Sequence, residues 1–174
     1  RFGRRRGLGR RRGLLQRRPK LLRRRTRLRP PRGLKKFLDA FIAAVDGFTI
    51  GDPMREDTYI GPLARPQQLR VLEDQATDAV TKGAELLRGG RRIDRPGNFF
   101  APTVLVKVNH SMTVMREESF GPIIGIQAVA GDEEALRLMA DTDYGLTAGV
   151  YSRDRTRAER ILERIDAGTV YWNC

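Results

Sequence analysis

One cysteine, one histidine and no long apolar run close off several kinds of chemistry in this 174-residue chain. A lone Cys174 can close no internal disulfide, which fits a reducing compartment and makes the cytoplasm the default location. Metal sites need several Cys, His or grouped carboxylates, and His110 with Cys174 supplies no such set. Nowhere do eighteen apolar residues run together, so no membrane-spanning helix is predicted, and the basic start lacks the apolar stretch of a secretory signal. Phosphate cradles are missing too. Gly89-Gly90 has neither the G-x-G-x-x-G nor the Walker spacing and reads as a turn.

Acid is absent from the first 32 residues, which hold fifteen Arg and Lys20. That segment takes sixteen of the chain's thirty-four basic residues. Eighteen remain against twenty-one acidic ones, so the net charge of +13 belongs to the arm and the rest is mildly acidic. Residues 1–33, almost all Arg, Gly, Leu and Pro, predict an expanded, disordered chain. Three readings of it compete: a solvated tail, a nucleic-acid-binding arm, or a coding region translated in the wrong frame.

From residue 34 onward the pattern is that of a globular domain. Leu34, Phe37, Leu38, Phe41, Ile42 and Val45 form one helical stripe, stopped by Gly47 and Gly51-Asp52-Pro53. A second helix opens at Pro66, carries Leu69, Leu72, Ala76, Ala79 and Val80 inward and ends at Gly83. Strands are predicted over 84–88, 103–108, 123–129, 147–151 and 169–172, rich in β-branched residues or bounded by Gly and Pro. Asp132 and Asp154 are expected to cap two further helices. Strand and helix alternate, which argues for an α/β fold: a largely parallel sheet flanked by helices, with ligand sites beyond the strand ends.

The densest chemistry lies in Glu117-Glu118-Ser119-Phe120-Gly121-Pro122, between two predicted strands. Alone, this run reads as a solvated loop with one ring tucked inward. Its neighbours change that. Asn98-Phe99-Phe100-Ala101-Pro102-Thr103 precedes it, and Tyr144-Gly145-Leu146-Thr147-Ala148-Gly149 and Ala167-Gly168-Thr169-Val170-Tyr171-Trp172-Asn173 follow. With Ile50-Gly51-Asp52-Pro53 and Ile60-Gly61-Pro62-Leu63, this ordered set resembles the C-terminal part of the catalytic domain of the NAD(P)-dependent aldehyde dehydrogenases, from about Leu34 to Cys174. By that resemblance, Glu118 of the "ExFGP" motif hydrogen-bonds the nicotinamide ribose hydroxyls and Phe120 lies beside the nicotinamide, so both are candidate cofactor-binding residues for NAD or NADP. A carboxylate can accept from two vicinal hydroxyls at once, which positions the ring.

The family attacks its aldehyde with a cysteine thiolate, passes a hydride to the nicotinamide, and hydrolyses the thioester with a glutamate base. No residue of this chain is a candidate for the nucleophile. Written in permissible codons and read one base later, Leu14 to Leu22 spells F-F-N-A-G-Q-S-C-C, and Arg23 onward spells A-V-E-R-V-Y-V-H. That resembles the family's "FFNxGQxC...RVYV" nucleophile segment, with Leu21 at the nucleophile's place and the correct frame resuming near Pro31 to Leu34. Cys174 is no substitute, since no His or Lys beside it in sequence depresses its pKa. His110, with no acid beside it, reads as a surface turn residue.

The resulting expectation has two parts: residues 1–33 as an arginine-rich, disordered or frame-shifted segment, and 34–174 as a partial aldehyde dehydrogenase catalytic domain. The resemblance implies a fragment that lacks the dinucleotide-binding domain, is inactive alone, and is poorly soluble or molten because an interface is uncovered. An intact form would be a homo-oligomer acting on an aldehyde. The alternative is a nucleic-acid-binding protein with a basic arm on a degenerate dehydrogenase fragment, whose binding would be salt-sensitive and non-specific. Phe2 is the arm's single stacking ring, which disfavours specific single-strand recognition.

Overall fold

The computed structural model describes Arg27–Arg29 and residues 33–173. Two strands sit at the centre: β3 (Thr103–Val106) and β4 (Ile123–Ala128), parallel, with Thr103 opposite Ile123 and Val106 opposite Ile126. β3 is buried along its whole length and β4 over its first four residues, as expected of a parallel strand covered on both faces. Beside β3 lies β2 (Glu85–Arg88), antiparallel; beside β4 lies β1 (Arg27–Arg29), parallel, so the order is β1-β4-β3-β2.

Period-two alternation sends side chains to opposite faces. Val104, Val106, Ile124 and Ile126 pack under α1 (Leu34–Asp46), with Leu34, Phe37, Leu38, Phe41 and Ile42 over them. Leu105 and Ile123 point the other way, into a cluster with Leu69, Leu72, Ala76 and Ala79 of α2 (Gln67–Thr81) and with Val114 and Met115 of α3 (Thr113–Arg116). Gly125 faces this second side because a Cβ there would lie 2.5 Å from the Met115 sulfur.

A third cluster gathers Leu136, Val150, Ala158 and Ile161 from α4 (Asp132–Ala140), β5 (Thr147–Val150) and α5 (Arg155–Leu162), with Trp172 of β6 (Thr169–Trp172) against it. β5 and β6 are parallel and form a separate two-stranded sheet. The fold is thus α/β with largely parallel pairing, but among the described residues it has two sheets rather than one.

Several local expectations change. Val80 sits to the side of the stripe that Leu72, Ala76 and Ala79 define and is exposed, while Gln75 is buried instead. β3 stops two residues early because Lys107 takes a left-handed conformation, φ 55°. Asp132 is not a cap: Gly131 precedes the helix, Glu134 accepts from the Ala130 N–H at 2.6 Å, and Asp132 is taken by Arg157 and Arg160. Asp154 does cap α5, accepting from the Arg157 N–H. The short helix α3 has no periodic signature in four residues. The strand at Arg27–Arg29 falls where composition predicts an expanded chain; most of that arm, with Leu21, lies outside the described residues, as does Cys174.

Candidate functional site

The loop from Glu117 to Pro122 leaves α3 and enters β4, at the shared amino ends of β3 and β4. Open α/β sheets more often hold ligands at the carboxyl ends. Three hydrogen bonds and one close packing contact fix the loop. The Thr103 N–H, first in β3, donates to the Pro122 carbonyl at 2.7 Å, and the Ile123 N–H donates back to Gly121 at 2.9 Å. Gln68, in the first turn of α2, donates through its side-chain amide to the Ser119 carbonyl. Gly121 lies against Leu72, one turn further along α2, so closely that a Cβ would run into the leucine's methyl groups.

Side chains on this loop divide sharply. Ser119 is 6% exposed. On either side of it Glu118 is exposed and Phe120 is 55% exposed, so the ring does not tuck into the core. Phe120 also has φ 43°, a left-handed conformation that costs a non-glycine residue on the order of 1–3 kcal/mol and persists only where surrounding structure imposes it. Glu118 has no hydrogen-bond partner among the described residues. An exposed ring in a strained conformation thus stands two positions after an unpartnered carboxylate that can accept two hydrogen bonds.

His110 departs from expectation. Its ring is only 13% exposed, and Nδ1 lies 2.7 Å from an Asp141 carboxylate oxygen that Arg116 also approaches at 3.6 Å. The acid is 31 positions away in sequence, so no local pattern could reveal it. The His110 hydrogen bond, with help from Arg116, holds the Asp141 carboxyl below the usual range against the opposing effect of burial. Nε2 has no hydrogen-bond partner among the described residues. An open groove of about 630 Å³, lined by Leu34, Leu38, Ile42, Leu87 and the Asp46–Arg88 pair, shares no residue with the loop. Among the described residues, no group of three or more His, Cys, Asp or Glu could hold a metal, and no helix is long and apolar enough to cross a membrane.

The sequence model of the aldehyde dehydrogenase family matches residues 31–174. A succinate-semialdehyde dehydrogenase [NADP(+)] of Mycobacterium tuberculosis is 37% identical over 137 residues, 79% of this chain and 30% of the relative. A peroxisomal aminoaldehyde dehydrogenase of Pisum sativum is 36% identical over 80% of this chain and 28% of its own length. Betaine aldehyde dehydrogenase from Staphylococcus aureus, solved in complex with NAD+, superposes with a TM-score of 0.81 at 32% identity, covering 85% of this chain and 30% of that one. This chain therefore spans about 30% of the length of the relatives it matches. Sequence and architecture agree that it belongs to the aldehyde dehydrogenase family.

Proposed function

We propose that this chain is part of an enzyme oxidising an aldehyde to a carboxylic acid with NAD+ or NADP+, and that it supplies the seat for the nicotinamide riboside. The observation that carries this reading is the pairing of a strained, exposed Phe120 with an unpartnered Glu118 on a loop fastened to α2 and β3. Glu118 would hold the ribose hydroxyls and Phe120 would lie beside the nicotinamide. The bound cofactor supplies the hydride acceptor. The chain's contribution is orientation: an anion and a flat apolar face held apart by a buried Ser119, so that the two cannot move independently.

As written, the chain is inactive by itself in this reading, because Leu21 occupies the nucleophile's place and a leucine carries no nucleophilic atom. Two observations favour a shifted frame over the arm. Arg27–Arg29 pairs as a parallel strand with β4, Arg27 opposite Ile126, where the shifted frame reads V-Y-V; strands in covered parallel sheets are ordinarily apolar. The family match begins at residue 31, within the stretch where the correct frame would resume. An intact form would be a homo-oligomer, with the cytoplasm as its default location.

Sequencing the nucleotides for Arg1 to Phe41 tests the frame. Codons that cannot spell "FFNxGQxC" one base later make the arginine-rich arm real and nucleic-acid binding the hypothesis to pursue. The cofactor seat is tested on the chain itself by hydrogen exchange with nicotinamide mononucleotide present. Slower exchange across residues 117–123 is expected, and loss of that effect in Glu118→Gln; no response at millimolar nucleotide overturns the seat.

A further inference from the structure

Left-handed Phe120 needs a reason to stay where it is. A bulky aromatic at positive φ relaxes unless neighbours hold the peptide units on each side. On its C-terminal side the hold is clear: Gly121 rests on Leu72, and the Gly121 and Pro122 carbonyls accept from Ile123 and Thr103. On its N-terminal side Ser119 is buried, and its carbonyl accepts from the Gln68 side-chain amide. Gln68 and Leu72 are four residues apart, on one face of α2, and neighbours on a helix surface. One helix face thus touches the loop immediately before and immediately after Phe120.

The chemistry of position 68 is restrictive. A backbone carbonyl can only accept, so its partner must donate, and the glutamine amide has the N–H groups to do so. A carboxylate of the same size would set two acceptors against each other. The Ser119 carbonyl belongs to the peptide unit joining Ser119 to Phe120, and its orientation is set by the ψ of Ser119 and influences the φ of Phe120. Fixing that carbonyl therefore fixes the direction in which the ring leaves the backbone.

We propose that Gln68 is the positioning residue of the Glu118–Phe120 loop: by donating to the Ser119 carbonyl it locks the peptide unit between carboxylate and ring and presents both outward together. The proposal builds on the reading of this loop as the nicotinamide riboside seat. Gln68 touches the backbone and acts through it.

Hydrogen exchange followed by mass spectrometry on the full chain tests this. Gln68→Ala removes the donor and leaves a better helix former in α2; exchange across residues 117–123 should rise about five-fold, the loss of one hydrogen bond of ordinary strength. Gln68→Glu keeps volume and helix propensity but opposes two acceptors, and should raise it further, by about ten-fold or more. Exchange within residues 69–81 should stay at the native rate in both variants. Nicotinamide mononucleotide, the probe, should slow loop exchange in the native chain and at least three-fold less in either variant. An unchanged loop in both variants overturns the lock, as does Gln68→Glu exchanging more slowly than Gln68→Ala. If only Gln68→Glu keeps residues 69–81 folded, its loop rate alone decides. A native chain indifferent to the nucleotide but loosened by both variants refutes the riboside seat and leaves the lock standing.

Discussion

Phe120 carries two unfavourable features, an exposed ring and a left-handed backbone, and Gly121 beside it has no room for a side chain. Gly121→Ala should drive a methyl into the fully buried Leu72 and cost about 1–3 kcal/mol, seen as a lower urea midpoint with an unchanged slope. Leu72→Ala should cost about 2–5 kcal/mol and loosen the same loop, since it removes the surface on which Gly121 rests. In a complete enzyme carrying this loop, Glu118→Gln should lower the rate of hydride transfer about ten-fold, through loss of a charge-assisted hydrogen bond to the ribose. Single-turnover kinetics separates that effect from substrate binding. At this scale Glu118 and Phe120 could be named from their motif, but Gln68 could not. Fifty-one positions separate it from Ser119, and a glutamine in an amphipathic helix carries no local sign of a distant partner.

Helices and strands were largely legible, because the stripe from Leu34 to Val45 and the β-branched runs at 103–106 and 123–128 follow periods the backbone itself imposes. What could not be read was how one element's charges serve another. Asp132 looked like a cap. Its carboxylate, 17% exposed, instead receives Arg157 and Arg160 from α5, tying α4 to α5 across the third cluster. The Arg157 hydrogen bond, aided by Arg160 and opposed by burial, holds the Asp132 carboxyl below its ordinary value. Because the folded-state pKa is the lower one, this contribution is complete above the unfolded carboxyl's pKa and is lost as pH falls through the folded-state value. Acid should therefore loosen α4 and α5 below about pH 4, and Asp132→Asn should remove about 1 kcal/mol at neutral pH, discounted for the arginines' exposure. Thermal melts at pH 7 and at about pH 2, below the ordinary carboxyl range, would show a native-to-variant gap that narrows in acid.

Among the described residues, three apolar clusters lie under five helices, while Leu146, Val170 and Tyr171 in and beside the β5–β6 sheet are exposed. Apolar surface of that kind promotes association, so the purified chain should self-associate as its concentration rises, detectable by light scattering. It should form no reduced nicotinamide when given aldehyde with NAD+ or NADP+. Measurable aldehyde-dependent reduction would overturn the inactive reading and require a nucleophile other than the one the family uses.

The order of motifs by itself determined the family and the α/β class, because turn glycines, prolines and β-branched runs are local signals that survive in a chain matching about 30% of the length of its relatives. The separation of Arg1 to Arg32 from a mildly acidic remainder was equally a matter of counting. Only the tertiary structure decided that the Glu118–Phe120 loop stands at the amino ends of its strands, that Phe120 points outward under strain, and that Gln68, His110 with Asp141, and Asp132 with Arg157 meet at all. Periodicity specifies which face of an element is apolar. It carries no information about which polar side chain on a distant element will arrive to satisfy a carbonyl or a carboxylate, and in this protein those long-range partners set the geometry of the candidate site.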